Sequence, residues 1–466
     1  MLHYSATDLS DTIVALSTPQ GLGAIGVIRL SGNQAITLCN EVFFGKDLTQ
    51  QKTHTLHFGT LRDGTAILDE VVVALFCKPH SYTTDDVVEI SCHGSPYILQ
   101  EVIQLFIRKG ARLAKPGEFT MRAFLNGRMD LSQAEAVADL IASESESAHQ
   151  IAMKQMRGGF SKQISQLRQQ LIDFASLIEL ELDFGEEDVA FADRTQLITL
   201  IKEIRSLLQQ LIHSFKLGNA LKNGIATVIA GRPNAGKSTL LNALLNEDRA
   251  IVSAIAGTTR DTIEEQINLE GIPFRFIDTA GIREAGDTIE AIGIKKTFEK
   301  ITQSSLVVYI FDPNEMSIKE VQTELDKLDK SDIQTLVVGN KMDLLSEAQV
   351  KEITTEGKTH FGNNFLLISA TEVHNIEDLK QYLIQVTISD KVQLENPIVT
   401  NVRHFDALEQ ADASLSTVLQ NIEADLSGEL LALDIRQALH HLGEITGEVT
   451  TDDLLGNIFG KFCIGK

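Results

Sequence analysis

Gly231-Arg-Pro-Asn-Ala-Gly-Lys-Ser238 decides how this chain is read. It fits the pattern GxxxxGK followed by Ser or Thr. It lies between a β-branched run, Ala226-Thr-Val-Ile-Ala-Gly231, and the helix-like Ser238-Thr-Leu-Leu-Asn-Ala-Leu-Leu245. In that strand–loop–helix setting the glycines allow a tight turn, and successive backbone N–H groups converge on phosphates at a helix N-terminus. Asn234, Ala235, Gly236, Lys237, Ser238 and Thr239 are the expected phosphate cradle. Lys237 reaches the β- and γ-phosphates in such a loop, and Ser238 is the expected Mg²⁺ ligand.

Downstream, from about 222 to 388, strand-like runs alternate with helical ones: Phe274–Ile277, Ser305–Phe311, Thr335–Gly339 and Phe365–Ile368. This alternation predicts a mainly parallel sheet with helices on both faces. Each motif that follows closes one of those strands. Asp278-Thr279-Ala280-Gly281 places a carboxylate to hold Mg²⁺ through water and a backbone N–H, that of Gly281, to sense the γ-phosphate. In Asn340-Lys341-Met342-Asp343 the last carboxylate offers two acceptors to the N1–H and exocyclic amine of guanine, a donor pair that adenine lacks. Ser369-Ala370 fits the backbone contact to the guanine oxygen. The four motifs in this order read as GTP binding and hydrolysis in the translation-factor-related class. One position departs from the common pattern: Ile282 follows the DTAG motif where many small GTPases carry the Gln that orients water. Arg232, Arg260 and Arg283 are the arginine-finger candidates, each with a structural or solvent-facing reading beside it. Asn234 is a candidate ligand for a monovalent cation. Gly257-Thr-Thr-Arg-Asp261 is the expected first switch, with Thr259 on Mg²⁺; Glu290 is either a water-orienting acid or a solvent-facing helix acid.

The flanks bound the rest. A chain of 466 residues that is 43% hydrophobic holds two or three domains with sizeable cores. A formal charge of −23 argues against indiscriminate nucleic-acid binding over the whole surface. Four scattered cysteines (Cys39, Cys77, Cys92, Cys463) form no disulfide or zinc pattern. With no basic n-region and no apolar run near the ~18 residues a spanning helix needs, the expectation is a cytoplasmic protein off the membrane. Residues 10–120 read as α+β. Helical periods occupy about 131–220, through Ile164, Leu167, Leu171, Phe174 and Ile178 and through Leu197, Ile201, Ile204, Leu208, Leu211 and Phe215, and return after 397. The pattern is a helical bundle interrupted by an inserted α/β domain whose two ends lie close together. Arg108, Lys109, Arg112, Lys115, Arg122 and Arg128, with Glu118 the one acid among them, form the best candidate run for anion or tRNA contact, against the alternative of a solvated surface.

The stretches Asp11–Gly32, Ser81–Pro96, Lys115–Val137 and Phe462-Cys-Ile-Gly-Lys466, together with the GTPase motifs, closely resemble the MnmE family of tRNA-modification GTPases from end to end. The resemblance implies a multi-domain α/β protein. Residues 1–124 form a tetrahydrofolate-binding and dimerisation α+β domain; 125–221 and 389–466 form the two parts of a helical domain; 222–388 form a P-loop GTPase domain. It implies a homodimer that joins an FAD-dependent partner, MnmG, in a heterotetramer or larger complex. That complex adds an aminomethyl or carboxymethylaminomethyl group at C5 of a tRNA wobble uridine. The one-carbon unit comes from 5,10-methylene- or 5-formyl-tetrahydrofolate. Carried over by motif, K⁺ is held by Asn234, Ser253, Ile255 and Thr258 within Ser253-Ala254-Ile255-Ala256-Gly257-Thr258-Thr259, Mg²⁺ by Ser238 and Thr259, and Glu290 orients water. Arg29, Glu89, Arg128 and Lys466 hold the folate. Without the resemblance, Arg29 and Glu89 read as an ordinary salt bridge before they read as ligand groups. Cys463 is either a nucleophile or a small residue packing the tail. The competing functions are a ribosome-assembly or regulatory switch GTPase and a dimeric scaffold with vestigial hydrolysis.

Overall fold

The computed structural model describes residues 10–183, 194–248, 264–277, 306–327, 334–387, 398–424 and 426–465. The backbone groups into two compact units. One comprises residues up to 142, 152–208 and 406 onward, and the other 143–151 and 209–405.

The first unit opens with β1 (Ile13–Leu16), β2 (Ile25–Ser31), α1 (Ala35–Val42), β3 (Phe43–Phe44), β4 (Thr55–Asp63), β5 (Ala66–Phe76), β6 (Val87–His93), α2 (Pro96–Arg108), β7 (Arg112–Leu113) and α3 (Glu118–Leu125). The strands form one sheet in the order β3-β4-β5-β6-β2-β1-β7, antiparallel except for β1 with β7. Alternation along β5 buries Val71, Val73 and Leu75 and exposes Glu70 and Val72, the period of a sheet with one covered face. Helix α2 starts with Pro96 in its first turn and buries Leu99, Val102, Leu105 and Phe106 in the same core.

The basic run at 108–128 is not an open anion surface. Arg108 pairs with Asp63 and Lys109 with Glu41. Arg112 and the buried Arg122 converge on Glu118 and Asp11, with Nη2–Oε1 distances to Glu118 of 2.6 Å and 2.9 Å. Burial works against ionisation of Asp11, yet the two guanidiniums hold its carboxyl below the ordinary value. Apart from Glu118, the acids that pair with the run (Asp11, Glu41 and Asp63) lie far away in sequence, so their pairing is not visible from the run alone.

Helices α4 (Leu131–Ile141), α5 (Glu146–Met156), α6 (Gly159–Asp183) and α7 (Arg194–Asn223) follow. Asp130 and Gln133 form a capping box that fixes the start of α4. On α6 the predicted stripe is buried at Ile164, Leu167, Leu171 and Ile178 and half-buried at Phe174; on α7 it is buried at Leu197, Ile201, Ile204, Leu208 and Leu211 and half-buried at Phe215.

The second unit contains β8 (Ile225–Ala230), α8 (Lys237–Asp248), β9 (Glu264–Leu269), β10 (Ile272–Ile277), β11 (Leu306–Phe311), α9 (Ile318–Lys327), β12 (Gln334–Gly339), α10 (Glu347–Phe361), β13 (Phe365–Leu367) and α11 (Ile376–Thr387). The sheet runs β13-β12-β11-β8-β10-β9, all parallel except the β9–β10 hairpin. Strands β8 and β11 are buried at every residue because both faces are covered. Ile229, Val308 and Ile310 pack into one apolar cluster; Val228, Val307 and Tyr309 pack into the other. The chain returns at Ile398–Val399 beside the helix from which it left. Val399 N–H donates to Ser214 Oγ at 3.0 Å, and a Cβ on Gly218 would lie 2.2 Å from the Val399 carbonyl oxygen. The ends of the insert therefore meet on α7.

Helices α12 (Val402–Glu423), α13 (Gly428–Thr446) and α14 (Asp452–Phe459) complete the first unit. Helix α13 lies along α6, and Arg205 on α7 holds Asp412 on α12 at 2.8 Å. Among the described residues no helix is long and apolar enough to cross a membrane.

The Glu118 network makes a stability prediction. Glu118 is 1% exposed and accepts from Arg112, Arg122 and the Lys115 N–H. Glu118→Gln should lower the unfolding free energy of the first unit by about 3 kcal/mol in urea, because two guanidiniums lose their buried counter-charge. A loss under about 1 kcal/mol, the range of an exposed pair, would contradict this account.

Candidate functional site

The P-loop leaves the end of β8 and runs into the N-terminus of α8. Gly231 has φ +150°, and a Cβ there would lie 2.0 Å from the Ile310 carbonyl oxygen. Gly236 has φ +103°, and its Cβ would meet Asn340 Nδ2 at 2.1 Å. Both glycines are thus required by backbone conformation and by close approach. Asn340 is 3% exposed. Its amide nitrogen donates to the Ala235 carbonyl at 2.9 Å, and its amide oxygen accepts from the Ala370 N–H at 3.0 Å. One side chain so fastens the P-loop, the NKMD strand end and the Ser369–Ala370 loop to each other.

Asp343 is oriented by Ser369, whose hydroxyl donates to Oδ1 at 2.5 Å and accepts from the Glu372 N–H. Lys341, at φ +65°, extends to Asp312 at 2.7 Å. Burial alone would raise the Asp312 carboxyl, but bonds from Lys341 and Asn314 hold it below the ordinary value. Lys237 Nζ donates to the carbonyls of Gly231 and Arg232, both at 2.8 Å, within its own loop. Ser238 and Thr239 are exposed at the α8 N-terminus, where a hydroxyl suits a hard cation beside phosphates. Arg232 is a structural residue: its guanidinium holds Glu324 on α9, which also binds the Tyr309 hydroxyl. Burial first, and then Glu324, push that phenol up.

Ser253, Ala254, Ile255, Ala256, Gly257, Thr258, Thr259 and Arg260 lie outside the described residues. So do Asp278, Thr279, Ala280, Gly281, Ile282, Arg283, Glu290 and Lys466.

In the first unit, Arg29 and Glu89 stand opposite each other in the β2–β6 ladder. Arg29 Nε and Nη2 both bind Glu89 Oε1, at 2.9 Å and 2.7 Å. Oε2 has no protein partner among the described residues. Arg128, in the loop before α4, donates to the Ser81 carbonyl. Tyr82 lies beneath both guanidiniums, 5.6 Å from Arg29 and 5.8 Å from Arg128. These groups, with His54, Phe76 and His80, line a cavity of about 520 Å³. Its one carboxylate, two guanidiniums and aromatic walls match a flat heterocycle with an amino-pyrimidine edge and an anionic tail. Sequence reasoning missed His54 and His80, which carry no motif signal, and Tyr82, which lies in the Ser81–Pro96 motif but was assigned no role. The C-terminal tail docks nearby. Gly465 has φ +100°, a Cβ there would lie 2.1 Å from the Leu16 carbonyl, and its own carbonyl accepts from Ser17 at 3.3 Å and Arg29 at 3.4 Å. Phe462 packs on Phe459, whereas Cys463 is exposed, so Phe462 rather than Cys463 packs the tail. By contrast Cys92 is buried, which pushes its thiol up to about 11.

Comparison with known proteins bears on both sites. A family model described as MnmE helical domain matches residues 131–463, and one described as GTP-binding protein TrmE N-terminus matches 12–128. The tRNA modification GTPase MnmE of Cytophaga hutchinsonii is 57% identical over 468 residues, covering 100% of both chains. The MnmE of Flavobacterium psychrophilum is 57% identical over 98% of this chain and 99% of its own, and that of Bacteroides fragilis 51% over 98% and 99%. The chain belongs to the MnmE family. As an MnmE-family protein it is a GTP hydrolase, and the clamp around Asn340 is the frame of its nucleotide site.

Guanine selection in this MnmE-family site should rest on Asp343. Asp343→Asn replaces one acceptor with a donor, so GTP affinity should fall by roughly two orders of magnitude and xanthosine triphosphate affinity should rise. Titration with fluorescent analogues checks this; unchanged GTP affinity would remove the assignment.

Proposed function

We propose that this protein couples GTP hydrolysis to modification of C5 of the wobble uridine of certain tRNAs. It acts as a homodimer with an FAD-dependent MnmG partner and adds an aminomethyl or carboxymethylaminomethyl group. The one-carbon unit is drawn from 5,10-methylene- or 5-formyl-tetrahydrofolate held by Arg29, Glu89, Arg128 and Lys466. The observation that carries this reading is the shared cavity. Arg29, Glu89 and Arg128 come from three separate elements, yet all line one space of about 520 Å³ in the first unit. A GTPase acting only as a switch has no need of such a cavity. Glu89 Oε2 accepts from the pterin edge, and the guanidiniums hold the anionic end. The folate supplies the one-carbon unit, and the chain's own groups bind and orient it. Cys463, exposed on the docked tail, is the candidate nucleophile.

In the second unit, Mg²⁺ is held by Ser238 and Thr259, and K⁺ by Asn234, Ser253, Ile255 and Thr258. With Ile282 after the DTAG motif, Glu290 orients water and K⁺ supplies the positive charge that an arginine finger supplies elsewhere.

Mass analysis of wobble uridines tests the proposal. Cells lacking the protein should lose the C5 substituent, and a wild-type copy should restore it. A Glu89→Gln copy should retain GTP hydrolysis in vitro yet fail to restore the modification. Full modification in the deletion strain would overturn the proposed function, and restoration by Glu89→Gln would overturn the role of the cavity.

A further inference from the structure

The β9–β10 hairpin joins the two segments that carry the Mg²⁺-side residues. In sequence, β9 follows Gly257–Asp261 with Thr259, and β10 runs directly into Asp278. Its ladder pairs Glu264 with Ile277 at the open end and Leu269 with Ile272 at the turn. Over six residues a strand spans about 17 Å, so the turn lies at the opposite end of a stiff rod from Glu264 and Ile277, the strand ends that lead in sequence to those segments. Strand β10 alone joins the hairpin to the rest of the sheet, in a parallel register that sets Ile277 opposite Val228, three residues before Gly231 of the P-loop. A slide of the rod along β8 would shift Ile277, the residue before Asp278 in sequence, against the end of β8 that leads into the P-loop.

The turn is tied down from outside the GTPase stretch of sequence. Ser147, in the first turn of α5, donates its hydroxyl to the Gly271 carbonyl at 2.6 Å across 124 residues. Ser147 is 8% exposed. Its neighbour Ser145 caps the helix by accepting from the Ala148 N–H at 3.1 Å, which fixes where α5 begins. Ile151, one turn on, is buried in the same apolar cluster as Ile272. A second tie runs from Gln381 on α11 to Glu270 at 2.8 Å.

We propose that Ser147 is a positioning residue for GTP hydrolysis, which holds the hairpin turn and so keeps the Thr259 and Asp278 segments in register with the P-loop. It touches no nucleotide; it acts through Gly271. The proposal goes beyond the tRNA reading and rests on Thr259 and Asp278 serving the Mg²⁺ side of the site. Guanine and P-loop contacts are made by Asn340, Asp343 and Gly236, away from the turn, so binding and turnover should separate.

The test is steady-state GTP hydrolysis by the full chain with Mg²⁺ and K⁺, alongside binding of a non-hydrolysable GTP analogue. Ser147→Ala should lower kcat about fivefold or more, the scale of one hydrogen bond, with analogue affinity within about twofold of wild type. Ser147→Thr, which keeps the hydroxyl, should restore kcat. Gln381→Ala cuts the exposed tie without touching the core and should also lower kcat at constant affinity. Wild-type kcat in Ser147→Ala overturns the proposal. So does a parallel loss of kcat and affinity, which marks a merely destabilised unit. Thr259→Ala checks the underlying reading separately: abolished hydrolysis there, together with wild-type kinetics in Ser147→Ala, overturns the Ser147 role alone.

Discussion

The bonds of the Asn340 amide are the constraint on which the nucleotide site depends. By donating to the Ala235 carbonyl and accepting from the Ala370 N–H, this buried side chain holds three loops at the ends of β8, β12 and β13. A parallel sheet presents those loop ends together, but it does not by itself fix their spacing. The amide does, and Gly236 is the residue that lets it approach. The peptide it grips adjoins Asn234, which sits at φ +65°, so the same bond sets the backbone around the residue proposed to meet K⁺. The base-recognition loops and the proposed cation ligand are thus fastened through one buried hydrogen-bonded contact of the kind that is costly to leave half made.

The buried strands of the GTPase unit are plain in the sequence because they are covered on both sides. Leu306–Phe311 reads as an unbroken apolar run and Ile225–Ala230 as one interrupted only by Thr227. Strand β9 does not read this way. Its sequence EEQINL is polar at alternate positions, as befits an edge strand, and only its ladder with β10 reveals it. The pairing of Arg108, Lys109 and Arg112 in the basic run is hidden for a related reason: Asp63, Glu41 and Asp11 come from elsewhere in the chain. Charge counted in a window is blind to partners brought by the fold. Arg29 and Glu89 are open to two readings from the sequence, and the structure shows the pairing while leaving the ligand a proposal. They are a cross-strand salt bridge, and they also line a cavity, with one carboxylate oxygen left for a ligand.

The chain's two units share a design in which a long-range tie serves a local site. In the first, Gly465 brings the last residues of the chain against Leu16 and Arg29, next to the cavity. In the second, Ser147 reaches from α5 to the hairpin that links the two Mg²⁺-side segments. The Ser147 tie carries no motif, whereas Gly465 lies in the tail motif, and in both the accepting glycine has a positive φ, +85° at Gly271 and +100° at Gly465.

Ile282 removes the usual water-orienting group from a site otherwise complete in its motifs, and the account places a cation at Asn234 to offset the missing positive charge. The most direct test is the rate of GTP hydrolysis by the full chain at equal ionic strength in K⁺ and in Na⁺. The account predicts a rate at least about tenfold higher in K⁺, the loss expected when one electrostatic contact to the transition state is missing. Equal rates in the two salts would contradict it.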